Sequence, residues 1–130
     1  MKFIMKSILR NILMLSVLFA GSAMADTVAF TQAAFAKLQL EGKPILVHIH
    51  ANWCPTCRAQ APIISSLLKQ KYFQTVTSLR VDFDQQKDIV KAFHASRQST
   101  LIVFKGNKEL GRSLGDTTPD GIEKLLRKTL

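Results

Sequence analysis

The chain has 130 residues and a formal net charge of +9, which suits one small domain with a basic surface. Its 18 lysine and arginine residues are scattered and form no basic block interleaved with aromatic residues. We therefore do not predict a nucleic-acid-binding function. Both cysteines stand in a single Cys-x-x-Cys, so the chain lacks the widely spaced pairs of a disulfide-stabilised scaffold.

The first 25 residues have the pattern of a secretory signal peptide. Three cations precede an apolar run over residues 12–20, and small residues stand at Ala23 and Ala25. The run is too short to span a hydrocarbon core of ~30 Å comfortably. We therefore predict a cleaved signal at 1–25, one domain at 26–130 and a periplasmic location. An uncleaved N-terminal anchor is the alternative.

Hydrophobic periodicity and turn residues predict the elements of the domain. In chain order they are a strand at 28–30, a helix capped by Thr31 and running to about 41, a strand at 45–50, a helix from about 55 that Pro62 should kink, a strand at 77–82, a helix at 85–94, a hairpin of strands at 100–104 and 109–114, and a helix capped by Thr118 and running to about 128. This order predicts an α/β fold with a mixed sheet of about four to five strands and helices on both faces.

The segment Trp53-Cys54-Pro55-Thr56-Cys57 lies between a buried strand and a helix, and it carries the predicted chemistry. Disulfide exchange needs an attacking thiolate and a second thiol close enough to resolve the mixed disulfide. At a helix N-terminus, unpaired N–H groups and the helix dipole favour an anion at Cys54, and Pro55 suits the first helical position. We predict Cys54 as the nucleophile and Cys57, one turn further and more buried, as the resolving thiol.

Residues 28–128 resemble the thioredoxin superfamily in several stretches. These are 44–47, 53–58, 80–84 and 100–106. The Pro-Thr between the cysteines is similar to that of the periplasmic thioredoxins of cytochrome c maturation, which act as reductants. The resemblance implies a thioredoxin-like fold and thiol–disulfide oxidoreductase activity, with Trp53, Pro55 and Thr56 supporting the cysteines. It also implies client protein disulfides as partners and a membrane thiol electron donor. We expect no cofactor, no resident metal and a monomer.

His48 stands where the family usually has a buried acid that relays protons to the resolving cysteine. An imidazole with a pKa near its usual ~6.5 could relay a proton, or it could simply pack in the core with one hydrogen bond. A neutral His48 would remove a buried negative charge and so ease formation of the Cys57 thiolate. His50 points to the same side of its strand, where packing is the expected role.

Ser99 replaces the cis-proline that the family places just before the strand beginning at Thr100. A cis bond before Ser99 would cost ~3–4 kcal/mol, so we expect a trans bond and a loop that is either re-routed or strained. Ser99 could then bring its hydroxyl or N–H towards the Cys54 sulfur and stabilise the thiolate. Family-like docking of substrates at Gln98 and Ser99 is correspondingly in question.

Arg80 matches a family position near the relay acid, and with His48 in that place we expect an ion pair with Asp82 or Asp84 instead. Two other functions stay open. One is a copper or zinc module using Cys54 and Cys57 with His48 or His50. The other is a redox-inactive interaction domain. Within the redox function, the sequence leaves reductant or oxidant undecided and favours a reductant or general exchange.

Overall fold

The computed structural model of the protein describes residues 27–130, so the predicted signal peptide at 1–25 lies outside the described residues. The elements are β1 (Val28–Ala29), α1 (Gln32–Leu40), β2 (Pro44–His50), α2 (Pro55–Leu68), a 3₁₀ turn (Lys71–Phe73), β3 (Thr77–Asp82), α3 (Lys87–Ala92), β4 (Thr100–Lys105), β5 (Lys108–Leu114) and α4 (Pro119–Arg127). The predicted order of strands and helices is confirmed. In residues 27–130 no helix has the length and apolar character needed to cross a membrane.

The five strands form one mixed sheet in the order β1-β3-β2-β4-β5. The central strand β2 runs parallel to β3 and antiparallel to β4, and β4 and β5 form the predicted hairpin. Every residue of β2 from Ile45 to His50 is buried, which explains the apolar run at residues 45–47. The α/β prediction is confirmed, with five strands.

The core lies on both faces of this sheet. On one face Leu46 packs with apolar residues of α2 and α4, including Ile64 and Leu126. On the other face the odd-numbered residues of β2 pack in a cluster in which four phenylalanine rings contact one another. These rings belong to Phe30, Phe35, Phe93 and Phe104, and the distances between neighbouring ring centroids are 5.3 to 5.9 Å. Because side chains alternate along a strand, His48 and His50 lie on the α2 side with Leu46.

The helix predicted at 85–94 is shorter in the structure, where α3 covers Lys87–Ala92. The preceding residues form a turn because the Asp82 carboxylate accepts the N–H groups of Asp84 and Gln85, both at 2.9 Å. At the other end His94 adopts a positive φ of 53°, which stops the helix. The predicted boundaries of this helix are therefore wrong, although its inward residues Ile89 and Val90 do pack on the core.

Helix α2 continues through Pro62 to Leu68. Proline has no N–H, so the carbonyl of Arg58 lacks its helical partner there. Arg58 is exposed, and water can satisfy that carbonyl. The helix thus runs uninterrupted from the cysteines into the core.

Candidate active site

The Cys-x-x-Cys motif lies where β2 leaves the sheet and α2 begins. Cys54 is the N-cap of α2, and its sulfur accepts the backbone N–H of Cys57 at 3.1 Å. Pro55 occupies the first helical position, where the absent N–H removes no helical hydrogen bond. Both cysteines are free thiols. The predicted placement of the motif at a helix N-terminus is confirmed.

The environment of Cys54 favours its thiolate. Burial of the thiol acts to raise its pKa, but several hydrogen bonds outweigh that effect and hold the pKa below its usual value. The donors are the Cys57 thiol, the backbone N–H groups of Cys57 and Thr56, and the side chain of Gln98. Cys54 therefore carries the features of an attacking sulfur.

Cys57 has the opposite character. It is fully buried, and its thiol lies 3.9 Å from the carbonyl oxygen of Ile49. Burial is the largest cause that raises the pKa of the Cys57 thiol to about 11, and the hydrogen bond with Cys54 and the charge of Cys54 raise it further. Near neutral pH, Cys57 thus remains a protonated thiol while Cys54 ionises more readily, an asymmetry that suits a nucleophile and a resolving thiol.

Trp53 is anchored beside the motif although its ring is 57% exposed. Its indole Nε1 donates to Oδ2 of Asp84 at 2.8 Å, which ties the motif to the loop after β3. On the other side of the cysteines, Thr56 lines a polar cavity of about 360 Å³. The remaining residues of this cavity are Arg97, Gln98, Ser99, Leu114 and Gly115.

His48 is buried beneath α2, and its Nε2 lies 3.1 Å from Oε1 of Gln60. Burial, followed by the neighbouring His50, lowers the pKa of His48 from 6.5 to about 4; the Gln60 hydrogen bond opposes this shift and Arg80 adds to it. The pKa of His48 thus lies well below the usual value of ~6.5 that would suit a proton relay near neutral pH, because a buried cation is costly in this place. His48 is neutral at pH 7 and packs with one hydrogen bond to a side chain.

His50 and Arg80 are neighbours of His48 that both act to lower its pKa. The His48 and His50 rings meet edge to face with centroids 5.2 Å apart. Burial and then the charge of Arg80 lower the pKa of His50, while Asp82 opposes this. The predicted ion pair of Arg80 with Asp82 or Asp84 is wrong for the described part of the chain, since no such pair occurs within 4.0 Å. In the backbone register of β2 and β3, Arg80 stands opposite His48.

Ser99 faces the motif with a trans peptide bond before it and a positive φ of 59°. Its N–H donates to the carbonyl of Ile49 at 2.7 Å, and its hydroxyl donates to the carbonyl of Gln98 at 2.6 Å. The predicted donation from Ser99 to the Cys54 sulfur is therefore wrong, because both donors are used by backbone carbonyls. From this loop, the side chain of Gln98 rather than Ser99 contributes to the lowered pKa of Cys54. The neighbouring Thr100 hydroxyl donates to the Arg97 carbonyl at 2.7 Å.

Gln60 is a residue that the sequence analysis missed. It is fully buried, and its Nε2 donates to the carbonyls of Ser99 at 3.2 Å and Asp116 at 2.9 Å. The available signal was its spacing: Gln60 stands on the inward face of α2 between Cys57 and Ile64, where an apolar residue is normal. A glutamine at such a position requires polar partners in the core.

The metal alternative finds no ligand set in this site. Among residues 27–130 no three side chains of histidine, cysteine, aspartate or glutamate converge in a way that could hold a metal ion. In addition, His48 directs its Nε2 to Gln60.

Comparisons with known proteins agree with this geometry. The sequence model of the thioredoxin family matches residues 26–128. Thioredoxin of Chlamydia muridarum is 34% identical over 84 residues, which cover 65% of this chain and 80% of that protein. Thioredoxin H4 of Arabidopsis thaliana is 28% identical over 93 residues, covering 72% and 77%. The crystal structure of Trxlp from Edwardsiella tarda EIB202 matches with a TM-score of 0.75 at 35% identity, covering 78% of this chain and 98% of that one. With its close cysteine pair and this fold, the chain belongs to the thioredoxin family of thiol–disulfide oxidoreductases.

Proposed function

We propose that the protein is exported to the periplasm and there reduces or exchanges disulfides of client proteins through Cys54 and Cys57. The observation that carries the chemistry is the contrast between the two sulfurs: a lowered pKa at Cys54 and a pKa of about 11 at Cys57. Export is supported by the basic, apolar and small-residue pattern of residues 1–25. Each chain supplies a complete cysteine pair, so we propose that it acts as a monomer.

The first step is attack of the Cys54 thiolate on one sulfur of a client disulfide. A Cys54–client disulfide forms, and the other client sulfur leaves as a thiolate that takes a proton from solvent. Two of the three causes that raise the pKa of Cys57 come from the free Cys54 group. Once Cys54 is bound in the mixed disulfide, its charge is gone, so Cys57 ionises more easily at this stage than before.

The second step is attack of Cys57 on the Cys54 sulfur. The second client sulfur leaves and is protonated, and a Cys54–Cys57 disulfide remains. The client has gained two electrons and two protons, and the protein has lost them. A further cycle needs two electrons from outside, for which we propose a membrane thiol donor.

Reduction of insulin disulfides by the dithiol form tests this chemistry. We expect precipitation of the insulin B chain in the presence of dithiothreitol, and loss of that activity in Cys54→Ser. The reduction potential of the pair decides the direction: a value near −270 mV supports a reductant, whereas one near −120 mV would mark an oxidant. A folded protein without insulin reduction contradicts the proposal.

Export needs a separate test. Expression of the full chain in a Gram-negative host, followed by fractionation and N-terminal sequencing, should give a periplasmic protein that starts at Asp26. A chain that keeps residues 1–25 in the membrane fraction indicates the uncleaved anchor. A full-length protein in the cytoplasm contradicts export.

A further inference from the structure

A glutamine side chain joins three separate segments directly behind the cysteines. Gln60 reaches His48 of β2, Ser99 before β4 and Asp116 before α4. The three heavy-atom distances lie between 2.9 and 3.2 Å, and the residue has no exposed surface. A bonded amide in the core orders its partners because leaving any of these groups unpaired costs about 1–3 kcal/mol.

The chemistry of the partners fixes the direction of every bond. The carbonyls of Ser99 and Asp116 can only accept, so the amide nitrogen of Gln60 must face them and donate both of its hydrogens. The amide oxygen then faces His48, whose Nε2 must carry the hydrogen. The glutamine therefore selects one tautomer of the neutral His48 ring as well as the position of the Ser99 backbone.

The backbone of Ser99 has an unfavourable conformation that its hydrogen bonds must stabilise. A residue other than glycine at φ 59° costs roughly 1–2 kcal/mol relative to the ordinary regions. Ser99 is held from two sides: its N–H bonds Ile49 in β2 at 2.7 Å, and its carbonyl accepts from Gln60 in α2 and from the N–H of Gly115 at 3.0 Å. Gln98, next to the clamped residue, lines the same cavity as Thr56, and its side chain acts to lower the pKa of Cys54.

We propose that Gln60 is a positioning residue that holds the Gln98–Ser99 loop against the cysteine pair. The resemblance to thioredoxins implies a proline at the position of Ser99. Proline restricts a loop covalently through its own ring, whereas this chain restricts it through a buried amide on the neighbouring helix. The inference rests on the proposed thiol chemistry of Cys54 and is independent of export. Gln60 acts through the loop and is not itself a reacting group.

The test is the pH dependence of Cys54 alkylation by iodoacetamide, followed as the first alkylation in mass spectra. The protein is compared with Gln60→Met, which keeps the volume and loses all three hydrogen bonds, and with Gln98→Leu, which removes the donor directly. The variant that carries both Gln60→Met and Gln98→Leu completes a double-mutant cycle. Thr129→Val is the matched control, since it removes a buried hydrogen bond to Leu126 at the far end of α4.

We expect Gln60→Met and Gln98→Leu each to raise the midpoint of alkylation by about one pH unit, the effect of losing one hydrogen bond to a charged group. The double variant should show no larger shift than either single variant, because both changes remove the same contact. Thr129→Val should leave the midpoint unchanged. A Gln60→Met midpoint equal to that of the control, or shifts that add in the double variant, would overturn the proposal.

Two measures keep this test decisive. If Gln60→Met does not fold, Gln60→Asn is measured in the same way, because its amide is one methylene too short to reach all three partners. Insulin reduction by the unaltered protein is recorded in parallel. Its absence would refute the proposed function, whereas insulin reduction together with an unshifted midpoint would refute only the role of Gln60.

Discussion

The sulfur of Cys54 accepts the backbone N–H of Cys57 at 3.1 Å, so the helix that carries the second cysteine also stabilises the first. This bond is part of the N-cap of α2, and it strengthens when the sulfur becomes an anion. The hydrogen bond that caps α2 thus also stabilises the Cys54 thiolate. The two cysteines differ in pKa because hydrogen bonds at the N-cap outweigh burial at Cys54, whereas burial is the largest effect at Cys57.

Replacing Cys54 and replacing Cys57 should each abolish disulfide reduction, but at different steps. Cys54→Ser should reduce insulin at the uncatalysed rate, because a serine hydroxyl is not ionised near neutral pH. In Cys57→Ser, Cys54 should still attack a client disulfide, but no second thiol can resolve the mixed disulfide. This variant should accumulate a stable mixed disulfide with a client, seen as an added mass that dithiothreitol removes. Equal adducts in both variants would contradict the assignment of the nucleophile.

Burial of His48 should make stability depend on pH. The pKa of His48 is about 4 in the folded state and 6.5 in the unfolded state, so between these values the unfolded chain binds the proton more tightly. The stabilisation by neutral His48 is complete above about pH 6.5 and is lost as the pH falls towards 4, with roughly 2 kcal/mol lost between pH 7 and 5. Urea unfolding at both pH values should show this loss, and His48→Phe should show less of it. An equal loss in His48→Phe would rule His48 out as the cause.

A proline at position 99, which the resemblance to thioredoxins implies, should destabilise this chain. Proline holds φ near −65° and has no N–H, whereas Ser99 has φ 59° and donates to Ile49. We expect Ser99→Pro to lower the free energy of unfolding by at least about 2 kcal/mol in urea titrations. Ser99→Ala, which keeps the N–H and loses only the hydroxyl bond, should cost about 1 kcal/mol or less. Similar stability of Ser99→Pro and the unaltered protein would show that the loop adapts to proline.

The bond from Trp53 to Asp84 offers a direct spectroscopic test. The chain has one tryptophan, so its indole N–H gives a single nuclear magnetic resonance signal. Asp84→Ala removes the acceptor and should move that signal upfield, with a change in stability below about 1 kcal/mol because the bond is exposed. Asp88→Ala, in the first turn of α3, is the control and should leave the signal in place. An unchanged signal in Asp84→Ala would show that the bond does not persist in solution.

Local patterns were enough to predict most of the fold. The apolar run of β2, the caps Thr31 and Thr118, and the turn around Gly106 all act within a few residues, so their effects can be recognised in the sequence. Both threonines cap their helices in the structure, accepting the N–H groups of Ala34 and Gly121. The start of α3 was misjudged because Asp82 accepts the N–H groups of Asp84, Gln85 and Gln86 and so holds this segment in a turn.

The reactive motif and its setting can be read from local sequence: a Cys-Pro-Thr-Cys at the start of an amphipathic helix, directly after a buried strand. The residues that adjust the reactivity of this motif come together only when the chain folds. The bonds from Gln60 to His48, Ser99 and Asp116 join residues 12, 39 and 56 positions apart, and no local periodicity encodes such distances. The same holds for the pKa of His48 near 4, because burial on a packed face sets it. Side-chain type limits what a residue can donate or accept, but its partners are chosen only when the sheet and helices pack together.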